Sequence, residues 1–485
     1  MKTRTVKTHC ATLAFLAFFI PAFSQGQDKL QEYPWFITDR IYTSDSTAAA
    51  ILEYHDSKRS IGFISQDGSL QKEIPLKGAN ILGLGKWNGN ILCFYTEEKE
   101  NTRHKDIHAV VVDGNTQTLV TDKVIYTNPG NRQLDMAMGN DAEGNFHHLL
   151  IRSTDFRAGF MHPVEWYSES IQRTTGLAEL QLSDQLEPAV KELSSVGIGG
   201  DFMSSFTDDK GQLTLLFFQK KQLIAERFSA EGQLQQTLTT PLDYTPNGIA
   251  FVKDWIGQLD PANGNILTFN IVHGGRQKYF SLFVFDFDAR AIVFQQKEEL
   301  SNNYIRALSN NPDLTNTRHF EPADNLKPVN ITYANDRMVV FHEITSEWCP
   351  PNNGPCTLKA EGIIATVYDR QQYRPVHQFF LDRWEEAKFE VGRDISCTVR
   401  DGKIHLFGCQ NISNTNNKYD NFYYVIDPEK GIAEKKTANG DPSPQPDPID
   451  ARNIMWFRDG ILRVSAGGRE YADSQPHSCL VKISY

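Results

Sequence analysis

Basic charge is scarce in this chain. Lys and Arg number 49 against 60 Asp and Glu, a formal net charge of −11. That balance excludes a nucleic-acid partner held by a basic surface. No apolar run reaches the roughly 20 residues a membrane-spanning helix needs, so no membrane span is expected. No long 3.6-residue hydrophobic stripe appears, which argues against a helical fold. Cysteine is sparse, seven in 485 residues, and a chain of this length buries its own core without a disulfide framework. Recognisable catalytic and metal motifs are missing too. There is no H-E-x-x-H helix, no EF-hand loop and no carboxylate triad at calcium spacing, so no metal is expected. A G-x-S-x-G elbow is absent, leaving serine hydrolase chemistry without an anchor. No Gly-rich phosphate loop follows a strand and opens a helix, and no cofactor is expected.

What is present points to β-structure. Aromatics make up 11% of the chain, and it carries 33 Gly and 22 Pro, a composition of strands and many turns. At about 100–200 residues per domain, the length allows three domains or one large repetitive one.

The N-terminus reads as a targeting segment. Lys2, Arg4 and Lys7 precede an apolar run from Ala11 to Ile20, and Pro21 precedes the small-x-small sequence Ala22-Phe23-Ser24. This is the pattern of a secretory signal peptide cut after Ser24. The run is too short for an anchor, and Cys10 precedes it, which excludes a lipoprotein signal. Residues 1–24 are therefore set apart from residues 25–485, and a secreted or periplasmic protein is expected. Export permits disulfides. The best pair is Cys349 with Cys356, because Cys349-Pro-Pro-Asn-Asn-Gly-Pro-Cys356 bends back on itself. Cys397 and Cys409 flank a turn at Asp401-Gly402 but are not directly opposite. The pairing of Cys93 and Cys479 stays open.

A unit of two hairpins recurs roughly every 50–75 residues. Its first half is a Gly-bearing turn before an apolar strand, as in Trp87-Asn88-Gly89-Asn90 before Ile91 to Tyr95, or Asp208-Asp209-Lys210-Gly211 before Leu213 to Phe217. Its second half is another hairpin, such as Ile61 to Ile64 turning at Asp67-Gly68. Asn-Gly and Asp-Gly favour the primed turns that match strand twist. The expected fold is all-β, four antiparallel strands per unit over the whole of residues 25–485. Its outermost last strand is expected from Pro34-Trp35-Phe36-Ile37 or the adjacent N-terminal segment, closing a ring. The chain thus resembles the β-propeller proteins, with about eight blades and seven as the alternative. The turns are similar to the D-x-x-G-x-x-H/L pattern of secreted bacterial propellers, as in Asp141-Ala142-Glu143-Gly144-Asn145-Phe146-His147. The sialidase box, recurring Trp-Asp endings and kelch Gly-Gly pairs are missing. Such propellers include polysaccharide lyases, glycosidases and binding modules, so fold alone leaves function open.

Loop length directs attention to one face. The loops Glu97 to Asp106, Arg152 to Gly176, His342 to Glu361, Asn411 to Asp420 and Gly467 to Ser478 are long, whereas turns on the other face are short. Long loops in compact folds are usually functional. The segment from Arg152 to Tyr167 is richest, with Arg157, His162, Trp166 and Tyr167. Arg binds carboxylates in a fork, aromatic rings stack on sugars, and His moves protons. Arg103, His104 and Trp348 are expected to join them near the axis. The plain alternative is rim packing and solvated charge. The leading reading is a monomeric propeller binding an extracellular glycan or peptide on this face. The rivals are a polysaccharide lyase or glycoside hydrolase in the axial pocket, and an interaction propeller in a surface complex. Sequencing the N-terminus of exported protein should find it starting near Gln25, and retention of residues 1–20 would overturn the targeting assignment.

Overall fold

A computed structural model of the chain describes residues 31–32, 35–54, 58–77, 80–98, 105–128, 133–155, 173–242, 251–274, 279–299, 326–348, 357–383, 385–387, 395–413, 418–436, 449–458, 460–465 and 477–481. A two-residue strand, β1 (Gln31–Glu32), comes first. Blade 1 follows with β2 (Trp35–Ser44), β3 (Thr47–Tyr54), β4 (Arg59–Ser65) and β5 (Leu70–Leu76). Blade 2 holds β6 (Asn80–Trp87), β7 (Asn90–Glu98), β8 (Lys105–Asp113) and β9 (Leu119–Thr127). Blade 3 holds β10 (Gln133–Asn140), β11 (Phe146–Asp155), β12 (Arg173–Leu182) and β13 (Pro188–Glu192), and blade 4 holds β14 (Asp201–Thr207), β15 (Leu213–Gln219), β16 (Gln222–Phe228) and β17 (Leu234–Pro241). These two sheets join only at the pair Arg173↔Asp201. Blade 5 holds β18 (Phe251–Asp260), β19 (Asn263–Gly274), β20 (Tyr279–Asp286) and β21 (Ala291–Glu299). Blade 6 holds β22 (Leu326–Ala334), β23 (Arg337–Trp348), β24 (Thr357–Asp369) and β25 (Pro375–Leu381), with β26 (Glu385–Ala387) beside β24. Blade 7 holds β27 (Ile395–Arg400), β28 (Lys403–Ser413), β29 (Lys418–Asp427) and β30 (Ile432–Lys436), and blade 8 holds β31 (Ile449–Phe457), β32 (Gly460–Ser465) and β33 (His477–Val481). Every sheet is antiparallel in chain order, so the fold is an eight-bladed β-propeller.

The burial pattern explains why the sheets stand in a ring. The second and third strands are buried almost throughout, as in β3, β4, β15 and β16, whereas outer strands such as β5, β13 and β30 are mostly exposed. Both faces of each blade therefore need a neighbour. Apolar clusters fill the interfaces one after another. Ile61, Phe63, Ile91 and Tyr95 lie between blades 1 and 2. Leu216, Phe269 and Phe283 lie between blades 4 and 5. Ile37, Leu52, Met455 and Phe457 lie between blade 1 and the last blade. The inner strands meet in turn, β2 with β6, β6 with β10, β10 with β14, β14 with β18, β18 with β22, β22 with β27, β27 with β31 and β31 with β2.

The ring is closed by the N-terminal segment adjacent to Trp35, the second of the two segments expected, and not by Trp35 to Ile37. The strand beside β33 is Gln31–Glu32, through Gln31↔Ser478 and Glu32↔His477. Trp35 to Ile37 instead begins the innermost strand of blade 1, paired with β3. The physical reason is the pattern of the strand: Ile37 and Ile41 are buried core residues, and an edge strand has only one covered side to offer them. Closure is also made by side chains. The Tyr42 hydroxyl accepts from the Trp456 amide at 2.7 Å, and the Tyr42 and Phe457 rings meet edge to face, centroids 6.0 Å apart.

The long loops prove shorter than read, because the strands run further into them. The β23–β24 ladder continues to Trp348↔Thr357, β11–β12 to Asp155↔Arg173 and β7–β8 to Glu98↔Lys105. Cys349 and Cys356 lie outside the described residues. Cys397 stands opposite Leu406 in the ladder. Cys93 and Cys397 are free thiols, and burial pushes Cys397 up to about 12, so it is held protonated and unreactive. No helix among the described residues is long and apolar enough to cross a membrane.

Removing residues 25–32 should lower the melting temperature by only a few degrees, since two paired residues contribute on the order of 1–2 kcal/mol. Removing residues 33–39 should abolish cooperative unfolding, because it takes the inner strand of blade 1. Differential scanning calorimetry on both deletions checks this, and equal melting temperatures for the two would refute the strand assignment.

Candidate functional site

The short turns of blades 3, 4 and 5 are built alike. In each, an Asp carboxylate accepts backbone N–H groups of the turn that it opens. Asp141 accepts from Glu143 and Asn145, both at 2.9 Å. Asp208 accepts from Lys210 at 3.0 Å and Gln212 at 2.8 Å. Asp260 accepts from Ala262 at 2.9 Å and Asn263 at 3.2 Å. Gly144 and Gly211 follow with φ of 82° and 75°, a conformation in which a side chain is strained. The D-x-x-G pattern is thus a turn device.

Each of these carboxylates has a second partner. His147 Nε2 lies 3.1 Å from Asp141 Oδ2. Burial alone would raise Asp141, but the bonds from Asn145, His147 and Glu143 outweigh it and hold the carboxyl below its usual range. Asp208 meets the buried Arg227, which also donates to Thr214 Oγ1 at 2.7 Å and to Asn265 of blade 5 at 3.1 Å. Asp260 accepts in a fork from Nε and Nη2 of Arg370, in the β24–β25 turn of blade 6. Arg227, held by Asp208, and Asp260 therefore fasten one blade to the next.

Between these three turns, at the ends of the inner strands β10, β14 and β18, lies a cavity of about 370 Å³. Met138, Phe206 and Leu259 form its apolar part, while Ser205, Thr207 and Gln258 add polar groups. Five carboxylates line it, those of Asp141, Glu143, Asp208, Asp209 and Asp260, with no Lys or Arg among the lining residues. Glu143 and Asp209 are exposed at its rim. Behind Thr207 sits a fully buried pair: His148 Nδ1 lies 3.1 Å from Glu179 Oε1, and His148 Nε2 lies 3.4 Å from Thr207 Oγ1. Burial pushes His148 down to about 4 and raises Glu179. The His148 ring lies against Gly139, where a Cβ would come within 2.2 Å of Nε2. Of the adjacent histidines, then, His147 braces a turn and His148 is packed. His405, in a related place, meets the Tyr423 hydroxyl at 2.6 Å.

A second polar cluster was not legible in the sequence. Tyr95, His108 and Asp122 come from three strands of blade 2, with the tyrosine oxygen 3.0 Å from His108 Nδ1 and from Asp122 Oδ2. Glu97 lies 3.2 Å from His108 Nε2. Tyr95 is buried, so its hydroxyl stitches strands and is not open to a ligand. Residues 13 and 27 positions from Tyr95 meet only through the ladder register, which no local motif encodes.

The side chains expected at the working face are mostly beyond description. Arg157, His162, Trp166, Tyr167, Arg103 and His104 lie outside the described residues. Trp348 ends β23, its backbone paired with Thr357. Arg152, at the root of the richest segment, is placed: its guanidinium lies 4.6 Å from the Phe202 ring centre and pairs with Asp135. Among the described residues no group of three or more His, Cys, Asp or Glu is arranged to hold a metal ion.

No protein-family model matches the chain, and no curated protein matches it. Solved structures similar to it include BamB from Moraxella catarrhalis, 9% identical over 94% of this chain and 100% of that one, with a TM-score of 0.39. The Nup133 β-propeller domain of Vanderwaltozyma polyspora is 10% identical over 90% of this chain and 100% of its own, TM-score 0.41. The β-propeller domain of the Trilobed protease from Pyrococcus furiosus is 9% identical over 79% and 88%, TM-score 0.34. At these scores the likenesses carry no argument about function, and the propeller rests on its own strand pairing.

The buried histidines set a pH dependence. His342 Nε2 lies 3.1 Å from Asn270 Oδ1, and burial pushes the imidazole down to about 3. The unfolded chain binds that proton near pH 6.5 and the folded chain does not. Stability is therefore full above about pH 6.5 and falls as pH drops towards the folded value, by at most about 1.4 kcal/mol per pH unit. The raised carboxyls of Glu179 and Glu226 act in the opposite sense, so a variant must be compared with the parent. His342→Gln keeps a donor for Asn270 and should lose less melting temperature between pH 7 and pH 5 than the wild type. Parallel slopes would show that His342 titrates in the folded state.

Proposed function

We propose that this propeller is a binding module outside the cytoplasm, and that the mouth formed by the short turns of blades 3, 4 and 5 takes a basic side chain of a peptide partner. One observation supports this reading, the charge of the cavity. Three of its carboxylates are engaged in turns, two of them also in bonds to arginines of the framework. Glu143 and Asp209 stand at its rim, and no lining cation offsets them. A concave site lined by one sign of charge concentrates ligands of the other. The apolar part suits the methylene stem that carries an ammonium or guanidinium group, and the volume is at the lower end of ordinary ligand sites.

A second reading keeps the opposite face, with a glycan or peptide meeting Arg157, His162, Trp166, Tyr167, Arg103, His104 and Trp348. The placement of Arg152 over Phe202, at the base of that segment, favours it. Catalysis has less support. A glycoside hydrolase needs two carboxyl groups about 5–10 Å apart, one of them protonated as an acid. The lining Asp141 is instead held in its charged form by donated hydrogen bonds. A lyase would need a His or Tyr aimed at the substrate; among the described residues His148 and Tyr95 are buried, and His162 and Tyr167 lie outside them. The exported, monomeric protein with a Cys349–Cys356 link remains part of the proposal.

Binding of a tetra-arginine peptide, measured by calorimetry at low and at physiological salt, tests the charge argument. The double variant Glu143→Gln, Asp209→Asn should weaken it about tenfold or more at low salt, with the melting temperature unchanged. Equal affinity of the variant, or equal binding of a tetra-glutamate peptide, would sink the reading.

A further inference from the structure

Glu226 stands on β16 with its side chain in the apolar interface of blades 3 and 4. Ile224 and Phe228 share its strand face and Leu215 lies opposite it on β15. All three belong to the cluster that also holds Leu150, Leu177 and Leu193. Glu226 is 0% exposed. A carboxylate in such a place is costly unless it is paired or hydrogen-bonded. Elsewhere buried acids meet cations, Asp208 with Arg227 and Glu343 with Arg383. Glu226 is held instead by neutral groups of one connection, residues 193–200 between β13 and β14. The Val196 amide donates to Oε1 at 2.7 Å and the Ser195 hydroxyl donates to Oε2. Burial raises the Glu226 carboxyl, and the bonds from Ser195, Val196 and the Gly197 amide offset this only in part.

The same connection ties the two blades together. The Gly199 amide donates to the Thr174 carbonyl at 2.8 Å and the Thr174 amide to the Gly200 carbonyl at 3.2 Å. Beside them lies the pair Arg173↔Asp201 that joins the sheets. Gly197 backs onto the core, where a Cβ would run into the Phe217 ring, while Val196 and Ile198 point outwards, 56% and 38% exposed. Between the Leu193 amide, bonded to the Leu177 carbonyl at 2.9 Å, and Gly199, the connection is anchored by the carboxylate and by a longer bond of 3.3 Å from Gln219 Nε2 to the Ile198 carbonyl.

The charged groups around Glu226 are engaged elsewhere. The connection, β15 and β17 carry no titratable side chain. Arg227 turns to the opposite face, to Asp208, and Asp201 points away from the side on which its neighbour Phe202 packs. From blade 3, Arg152 pairs with Asp135, Glu179 with His148, and Lys191 reaches the Glu231 carbonyl. Glu192 and Glu231 are exposed.

We propose that Glu226 and residues 193–200 form an acid-released clasp between blades 3 and 4. The charged carboxylate only accepts, and charge-assisted bonds are about twice as strong as neutral ones. A protonated carboxyl carries a hydroxyl and turns a donor towards groups that donate themselves. The clasp therefore loosens as pH falls, freeing Val196, Gly197 and the start of β12. The folded chain takes up this proton at higher pH than the unfolded chain, so the Glu226 contribution to global stability rises as pH falls. Local loosening and the global contribution move in opposite directions, which separates the clasp from acid unfolding.

Hydrogen exchange of the full chain, read by mass spectrometry and corrected for the intrinsic rate at each pH, tests this. Peptides covering residues 193–200 should lose protection about tenfold or more between pH 8 and pH 4.5, while those covering β15 keep theirs. Glu226→Gln, neutral at every pH, should show the open level at both. Ser195→Ala removes one donor to the carboxylate and should move the transition to higher pH without abolishing it. The proposal is overturned if residues 193–200 are equally protected at both pH values, if Glu226→Gln keeps the wild-type dependence, or if β15 loses protection in parallel. Should Glu226→Gln fail to fold, Ser195→Ala decides the matter, and an unshifted transition overturns the proposal.

Discussion

A sheet with two apolar faces cannot end in water, and that constraint organises the whole molecule. Every blade presents buried side chains to both neighbours, so a row of blades is stable only when its last meets its first. The cluster joining Ile37 and Leu52 to Met455 and Phe457 makes that junction, and the short pairing of Gln31–Glu32 with β33 covers the edge that the last blade would leave open. The order of importance follows from area. Two backbone pairs are a small addition beside a filled interface of Ile, Leu, Met and Phe.

Apolar packing leaves the angle between blades loosely specified, and polar groups crossing the interfaces define it. Arg227 spans Asp208 and Asn265, Arg370 reaches from blade 6 to Asp260, and His342 meets Asn270. Arg383 and Glu343 form a buried ion pair beneath the Phe422 ring of blade 7. Such pairs add little net stability after desolvation, yet each is satisfied only in one relative placement of its blades. The bulges of the inner strands serve the same end. Asp39 in β2 reaches the Leu84 amide of blade 2 at 2.8 Å, as Trp255 reaches the Met203 carbonyl. Groups released from the ladder within a blade become joints between blades.

This division of labour bears on function. The aspartates that recur along the sequence are spent on turns and joints, so recurrence itself marks framework. The residues that the proposed cationic site draws on are those that break the recurrence, Glu143 and Asp209 at the rim of the cavity. Binding at the proposed site needs no moving part, because the turn hydrogen bonds hold its polar groups in place before a ligand arrives.

Strand content, the hairpin unit and the blade number were legible in the sequence, because alternation and Gly-bearing turns are local and repeat with the unit. The closing strand was legible only as one of two adjacent segments, since Trp35 to Ile37 and Gln31–Glu32 are both short extended stretches and only the demand of Ile37 and Ile41 for two covered faces distinguishes an inner strand from an edge. Loop lengths were overread for a related reason: ladders such as Trp348↔Thr357 persist through residues whose polarity suggests a loop. The candidate sites were not legible at all. Asp141, Asp208 and Asp260 lie far apart in the chain and enclose a cavity only because three blades stand side by side. The sequence by itself determined the repeating strands and turns, whose energetics are local. Which residues face one another across the channel was decided only by the closed ring, because that geometry depends on the packing of all eight blades at once.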